Sequence, residues 1–271
     1  MSDDIKSAPS LDGFSGIKRQ NLKSRQQQIL DLLFEQGNAS IEFLAEHFDV
    51  SRMTIHRDAH ALASQGLIDK IHGGITLKNR ARTEKNVAYR QHRAANLKKT
   101  IIQRAVSMIE PGQVIILDDS TTVAEMLPLL PARAPLTVIT NAVGVVQALA
   151  PFPGIKIICL GGDYSNSRNA FFGLVCEQAA RSLRANVMFM STSVISGDTA
   201  FQNDQDVVKV KRALMAIADD SVLLVDSTKF RQGGLHRLTS LSEFTRILTD
   251  SHIKPETLSE LETAGVPIEI C

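Results

Sequence analysis

The chain has 271 residues, 44% of them hydrophobic and 22% charged, with a formal net charge of +1. That composition excludes a fibre or a disordered polymer and leaves room for a small domain beside a larger one. Cys159, Cys176 and Cys271 are odd in number and far apart, which excludes a disulfide framework and has no metal-ligand spacing; a reduced, cytoplasmic setting is expected, with no metal and no cofactor.

The near-zero total hides an asymmetry. Residues 1–100 carry 16 Lys+Arg against 11 Asp+Glu, and residues 101–271 carry 14 against 18. Within 51–99 the count is 11 basic to 3 acidic, which fits either an anionic partner for that segment or a solvated basic face. Residues 1–23 begin acidic, run through Pro, Ser and Gly, hold no apolar signal core and read as a disordered lead-in. No apolar run approaches the ~20 residues of a membrane helix, so no membrane contact is expected.

Residues 24–78 read as three short helices and a hairpin. SRQQQILDLLFEQG, from Ser24, places Ile29, Leu30, Leu32, Leu33 and Phe34 on an apolar face and ends at Gly37. Ser40 caps SIEFLAEHF. Ser51 caps SRMTIHRDAHALASQG, in which Met53 or Thr54, Ile55, Ala59, Leu62 and Ala63 can face inward. LIDKIHGGITL then turns at His72-Gly73-Gly74. This is the winged helix-turn-helix order, although the same geometry also serves as a plain packing unit. A third helix in the major groove would present Arg52, Thr54, His56 and Arg57 to base edges and phosphates, with Ser40 and Ser51 at helix starts. Lys70, His72, Gly73 and Gly74 would form the wing, the glycines letting backbone approach the duplex. Residues 79–99 form a basic linker that runs into a helix at about 86–109.

From Thr100 the pattern alternates between strand and helix. VIILDD (114–119) precedes the helix STTVAEMLPLL, and LTVITN (136–141) precedes AVGVVQALA. IKIICLGG (155–162) is followed by the helical GLVCEQAARSLRA. NVMFMSTSV (186–194), the helix DVVKVKRALMAIA (206–218), SVLLVDSTKF (221–230) and a last strand TRILTDS (245–251) complete the series. Residues 100–271 are therefore predicted to be an α/β domain with a mostly parallel sheet. Ligands bind such sheets beyond the carboxyl ends of the strands. Four strand ends there are polar: Asp118 to Thr122, Thr140-Asn141, Gly161-Gly162 and Asp226 to Lys229. Each alone is an ordinary cap, but together they can converge on one anionic, hydroxyl-rich ligand.

These residues carry a family resemblance that spans about 24–251. Val50-Ser51, Thr54-Ile55-His56-Arg57-Asp58-Ala59, Leu62, Gly66 and Lys70-Ile71-His72-Gly73-Gly74 resemble the DNA-binding motif of the DeoR family of bacterial sugar-metabolism repressors. His56 stands where the family has Arg, and Ala59 where it has Leu. Asp118-Asp119-Ser120-Thr121-Thr122 resembles the family's phosphate loop, with Ser120 for Gly and Asp119 adding negative charge beside the anion. Thr140-Asn141-Ala142, Gly161-Gly162, Val210-Lys211-Arg212 and Asp226-Ser227-Thr228-Lys229-Phe230 match its other motifs, with Ala142 for Ser. The resemblance implies an effector domain similar in fold to ribose-5-phosphate isomerase. It implies a phosphorylated sugar or polyol as effector, held by Asp118, Ser120, Thr121, Thr122, Thr140, Asn141, Gly161, Gly162, Lys211, Asp226 and Lys229. Relief of repression by that effector, on a double-stranded DNA operator, is the implied function.

The competing reading is a sugar-phosphate isomerase-like enzyme with an accessory helical domain, using Asp118, Asp119 or Asp226 as general base. It leaves the basic front segment without a purpose. A helix-turn-helix protein reads symmetric DNA as a homo-oligomer, so a dimer or tetramer is expected.

Overall fold

In a computed structural model the described residues are 24–77 and 95–271. The expected lead-in over 1–23 and most of the basic linker, Lys78 included, lie outside them.

The N-terminal unit is α1 (Ser24–Gln36), β1 (Asn38–Ser40), α2 (Ile41–His47), α3 (Arg52–Ser64), β2 (Ile68–Ile71) and β3 (Gly74–Leu77). Its core is built from the residues whose spacing marked them as apolar: Ile29, Leu30, Leu33, Leu44, Ile55, Leu62 and Ile75 are fully buried. Leu67 and Ile68 join them as the chain turns from helix to wing. Met53 is 66% exposed and does not face inward; the half-buried Thr54 takes the inner side of that turn. β1 is an element that periodicity did not indicate. Its three residues pair antiparallel with β3, Ala39 opposite Ile75, so the wing is a three-stranded sheet in the order β1-β3-β2. Gly74 explains the close approach: a Cβ there would overlap the Ala39 carbonyl.

The larger unit is a seven-stranded, wholly parallel sheet. Its strands are β4 (Val114–Leu117), β5 (Leu136–Thr140), β6 (Ile155–Cys159), β9 (Ala185–Met190), β12 (Ala218–Leu224), β14 (Arg246–Thr249) and β15 (Ile268–Ile270). They run in the order β15-β14-β12-β9-β4-β5-β6. Ile115, Ile116, Leu117, Val138, Met188, Phe189, Leu223 and Ile247 are buried on near-continuous apolar strands, as a sheet covered on both faces requires. The helices are α4 (Ala95–Ser107), α5 (Thr121–Ala124), α6 (Val143–Leu149), α7 (Gly173–Arg181), α8 (Gln205–Met215) and α9 (Pro255–Thr263). Two small antiparallel additions complete it: β7 (Asp163–Ser165) with β8 (Ala170–Phe172), and β10 (Val194–Ser196), β11 (Thr199–Gln202) and β13 (His236–Ser240) in the order β10-β11-β13.

Several boundaries differ from expectation for local reasons. The helix expected after β4 is the single turn α5 followed by a 3-10 segment, Leu127–Arg133, because Pro128 and Pro131 donate no backbone hydrogen bond. β9 stops at Met190, and Ser191 to Ser193 leave the sheet. β12 stops at Leu224, and Asp226 caps a 3-10 turn over Ser227–Lys229. The strand at 246–249 is not the last: β15 adds outside it, fixed in part by Glu269, which accepts from Arg104 at 2.5 Å and from Arg246 at 2.8 Å.

Candidate functional site

Two surfaces carry the polar chemistry. The first is the outer face of α3. Ser51 caps the helix by accepting from the Thr54 amide at 3.2 Å, and the Ser51 and Thr54 hydroxyls lie 2.9 Å apart. Ile55, Asp58, Ala59 and Leu62 are buried, which turns Arg52, Met53, His56, Arg57 and His60 outward on the opposite side. Asp58 explains why this orientation holds: its buried carboxylate accepts from Arg25 at 2.6 Å and from Gln26 at 2.9 Å, tying α3 to α1. Arg52 pairs with Glu42 at 2.9 Å, but both side chains are largely exposed and such a pair is worth little. Ser40 caps α2 through the Phe43 amide at 3.0 Å. On the wing, Lys70, His72 and Gly73 are exposed, Gly73 with a left-handed φ of 71°. Gly74 is buried and serves the packing of the wing on β1, not an outward approach.

The second surface is a cleft at the carboxyl ends of β4 and β9. Successive strands step from β4 to β5 and β6 on one side, and from β9 to β12, β14 and β15 on the other, so these two neighbours flank the point where the winding reverses. Loops part there and leave a crevice. Asp119, Ser120, Thr121, Thr122, Arg168, Ser191, Thr192, Ser193, Gln202, Lys211 and Lys229 supply its polar walls, around about 370 Å³ that includes the part open to solvent.

Lys211 enters from α8, with its side chain 4% exposed. Its Nζ donates to Asp118 Oδ2 and, at 2.9 Å, to the Ser191 carbonyl. Asp118 also accepts from the Ser120 amide at 2.9 Å and the Ser191 amide at 3.0 Å. Asp118 and Lys211 thus form a buried tie between the β4 loop, the β9 loop and α8. Ser120 is the cap of α5, accepting from the Val123 amide at 3.2 Å.

Of the sequence-derived site residues, Asp118, which lies behind the cleft wall in its tie to Lys211, and Thr140, Asn141, Gly161, Gly162 and Asp226 are absent from the cleft lining. Thr140 donates to the Leu117 carbonyl at 2.7 Å and accepts from the Ala142 amide at 3.0 Å. Asn141 donates to the Phe171 carbonyl at 2.9 Å. Asp226 accepts from the Thr228 amide at 3.1 Å and from the Thr228 hydroxyl. A Cβ on Gly162 would overlap the Phe172 carbonyl and touch Cys176, so this glycine lets β8 and α7 close on the loop. Arg168, Ser191 to Ser193 and Gln202 went unread. They belong to short loops and strand ends without periodicity; the hydroxyl run Ser191-Thr192-Ser193 after β9 was the only signal. Among the described residues no group of His, Cys, Asp and Glu is arranged to hold a metal, and no helix is long and apolar enough to cross a membrane.

A winged helix-turn-helix joined to a parallel sheet with a polar cleft at its switch point is the build of a ligand-responsive transcription regulator. Residues 25–81 match the DeoR-like helix-turn-helix domain and residues 93–251 match the DeoR C terminal sensor domain; the chain belongs to the DeoR family. It is similar to the L-fucose operon activator of Haemophilus influenzae, 32% identical over 87% of this chain and 94% of that one. It is also similar to the lactose phosphotransferase system repressor of Lactococcus lactis subsp. lactis, at 30% over 89% and 95%. A solved ribose 5-phosphate isomerase from Methanocaldococcus jannaschii overlaps 50% of this chain and 54% of its own at 17% identity and a TM-score of 0.37, from which nothing about activity follows. The protein is a DNA-binding transcription regulator, and the isomerase reading is not favoured.

Proposed function

We propose that the protein represses carbohydrate-metabolism genes by holding operator DNA with α3 and the wing, and that a phosphorylated sugar or polyol bound in the β4/β9 cleft releases it. The observation that carries the reading is the cleft: the small hydroxyl residues Ser120 to Thr122 and Lys229 line one crevice at the sheet's switch point. The relatives named for fucose and lactose systems support a sugar-derived effector. In this reading Arg52, His56 and Arg57 face the major groove, Lys70 and His72 lie against the backbone, and Ser40 and Ser51 stand at helix starts near phosphates. Asp118 and Lys211 act together, because Lys211 is already neutralised by Asp118; the pair holds the two loops whose arrangement the effector selects. An effector releases DNA only by its differential affinity for the two arrangements. A homodimer or tetramer presents two α3 helices to a symmetric site.

The test is a cleft-blocking change. Thr121→Arg is expected to keep operator binding and abolish its relief by phosphorylated sugars; Lys211→Ala is expected to impair relief by loosening the loops. Relief that survives both substitutions contradicts the assignment.

A further inference from the structure

The cleft contains a second charge pair, between Asp119 of the phosphate-loop motif and Arg168, which lies outside every matched motif. Asp119, beside the Asp118–Lys211 tie, has a side chain only 3% exposed, and its Oδ2 has no hydrogen-bond partner. Across from it stands Arg168, contributed by the turn between β7 and β8, with its side chain 8% exposed. The guanidinium lies 3.7 Å from Asp119 Oδ2 and 3.6 Å from Asp204 Oδ2. Both separations exceed a hydrogen bond. Phe172 supports the guanidinium from beneath, its ring centre 6.0 Å away.

A buried acceptor without a hydrogen-bond partner, facing a guanidinium held beyond hydrogen-bond distance, is costly unless something completes it. Ion pairing alone does not, since Coulomb attraction at this range leaves the Asp119 oxygen without a directional partner. A bare anion does not complete it either. Asp118, Asp119 and Asp204 around the cleft balance Lys211, Arg168 and Lys229, so a phosphate meets no net positive field and finds Asp119 beside its own charge.

We propose that Arg168 binds the anionic group of the effector and that Asp119 accepts a hydrogen bond from a hydroxyl next to that group. The site therefore selects a phosphorylated polyol or sugar with a hydroxyl adjacent to its phosphate, and discriminates against the phosphate alone. The planar guanidinium suits a bidentate grip on two phosphate oxygens. Asp119 sets specificity by repelling any anion that brings no donor. The proposal rests on the reading of this cleft as the effector site.

Inorganic phosphate is the probe, titrated calorimetrically into the full-length protein. Asp119→Asn removes the repelling charge and keeps the shape; it is expected to tighten phosphate binding by about tenfold or more. The double variant Asp119→Asn/Arg168→Gln is expected to lose that gain. Thermal unfolding of each variant establishes folding, and Asp119→Ser serves if the asparagine variant does not fold. No gain in the single variant, or a gain that persists without Arg168, overturns the proposal. The underlying reading has a separate test in the single variant: phosphate bound through Arg168 with operator affinity unmoved, by phosphate and by phosphorylated sugars alike, leaves the anion site standing and removes its role as effector site.

Discussion

Asp58 shows how one buried charge can serve a surface it does not belong to. Its carboxylate takes donors from Arg25 and Gln26, both on α1, while its neighbours Arg57 and His56 face solvent. Asp58→Ala removes an acceptor shared by Arg25 and the buried Gln26 and is expected to cost about 2 kcal/mol of stability in the DNA-binding unit. Operator affinity should fall with it, and chemical denaturation beside a binding titration reads both. Arg57→Ala leaves the fold alone. If Arg57 grips a guanine edge, the loss is about 1–3 kcal/mol on the preferred sequence only; if it grips a phosphate, binding weakens on all sequences and the salt dependence becomes shallower. At this scale the sequence was readable where the residue's role is local. Ser51 and Ser40 cap helices just as their positions before apolar runs indicate. Arg168 was not readable, because its importance comes from folding a hairpin turn back over a loop some 50 residues away in sequence, about the separation from Asp119.

At the scale of elements, β15 shows what periodicity missed, while α4 lies within the helix expected at about 86–109 and carries a buried charge. Lys98 of α4 is buried and lies 3.4 Å from Glu125, the residue that follows α5. Burial raises the Glu125 pKa, and Lys98 opposes the rise. Lys98→Met leaves that carboxyl without its counter-charge; the cost is expected to be about 1–3 kcal/mol, moderated because Glu125 can take up a proton instead. Thermal unfolding measures it. Glu269 on β15 has the opposite sign. The hydrogen bond from Arg104, ahead of that from Arg246, holds its carboxyl below the ordinary value of 4.5. A lowered acid pKa contributes stability that is present above the unfolded value and lost as pH falls through the folded one. Glu269→Gln should therefore be less stable than the parent at pH 7, and the gap should close as the medium is acidified below 4.5. A gap that widens on acidification contradicts this. β15 escaped sequence reading because three residues, Ile268 to Ile270, carry no usable alternation; only the open edge of β14 calls for them. The parallel strands of the sheet interior, by contrast, announce themselves as runs such as Val114–Leu117 flanked by caps.

For the whole molecule, the division of labour was legible before any coordinates. The basic bias of residues 51–99 falls on the part of the chain that holds the helix-turn-helix, and the acidic balance of residues 101–271 falls on the sensor domain. The order of strands was not legible, and with it went the shape of the site. Four polar strand ends were expected to converge, but the sheet reverses its winding between β4 and β9, so those two ends, α8 and Lys229 from beyond β12 line the cleft while Thr140, Asn141 and Asp226 brace the loops around it. Chemical labelling gives an independent check on the α/β unit. Cys176 is buried and its thiol is pushed up to about 11, first by burial and then by Glu177 and Cys159, so it should resist alkylation at neutral pH until the domain unfolds. The exposed Cys159 should react first, which mass spectrometry resolves.

The central claim joins the two units: a small molecule in the cleft governs what α3 does on DNA. Fluorescence anisotropy tests it on a duplex from the protein's own upstream region, against unrelated duplex as competitor, at several salt concentrations and with a panel of phosphorylated sugars and polyols. The expected result is selective binding that weakens steeply with salt and is released by one phosphorylated compound, with Thr121→Arg abolishing the release. Selective binding that no compound in the panel alters would contradict the effector half of the account, and weak, unselective binding by folded protein would contradict all of it.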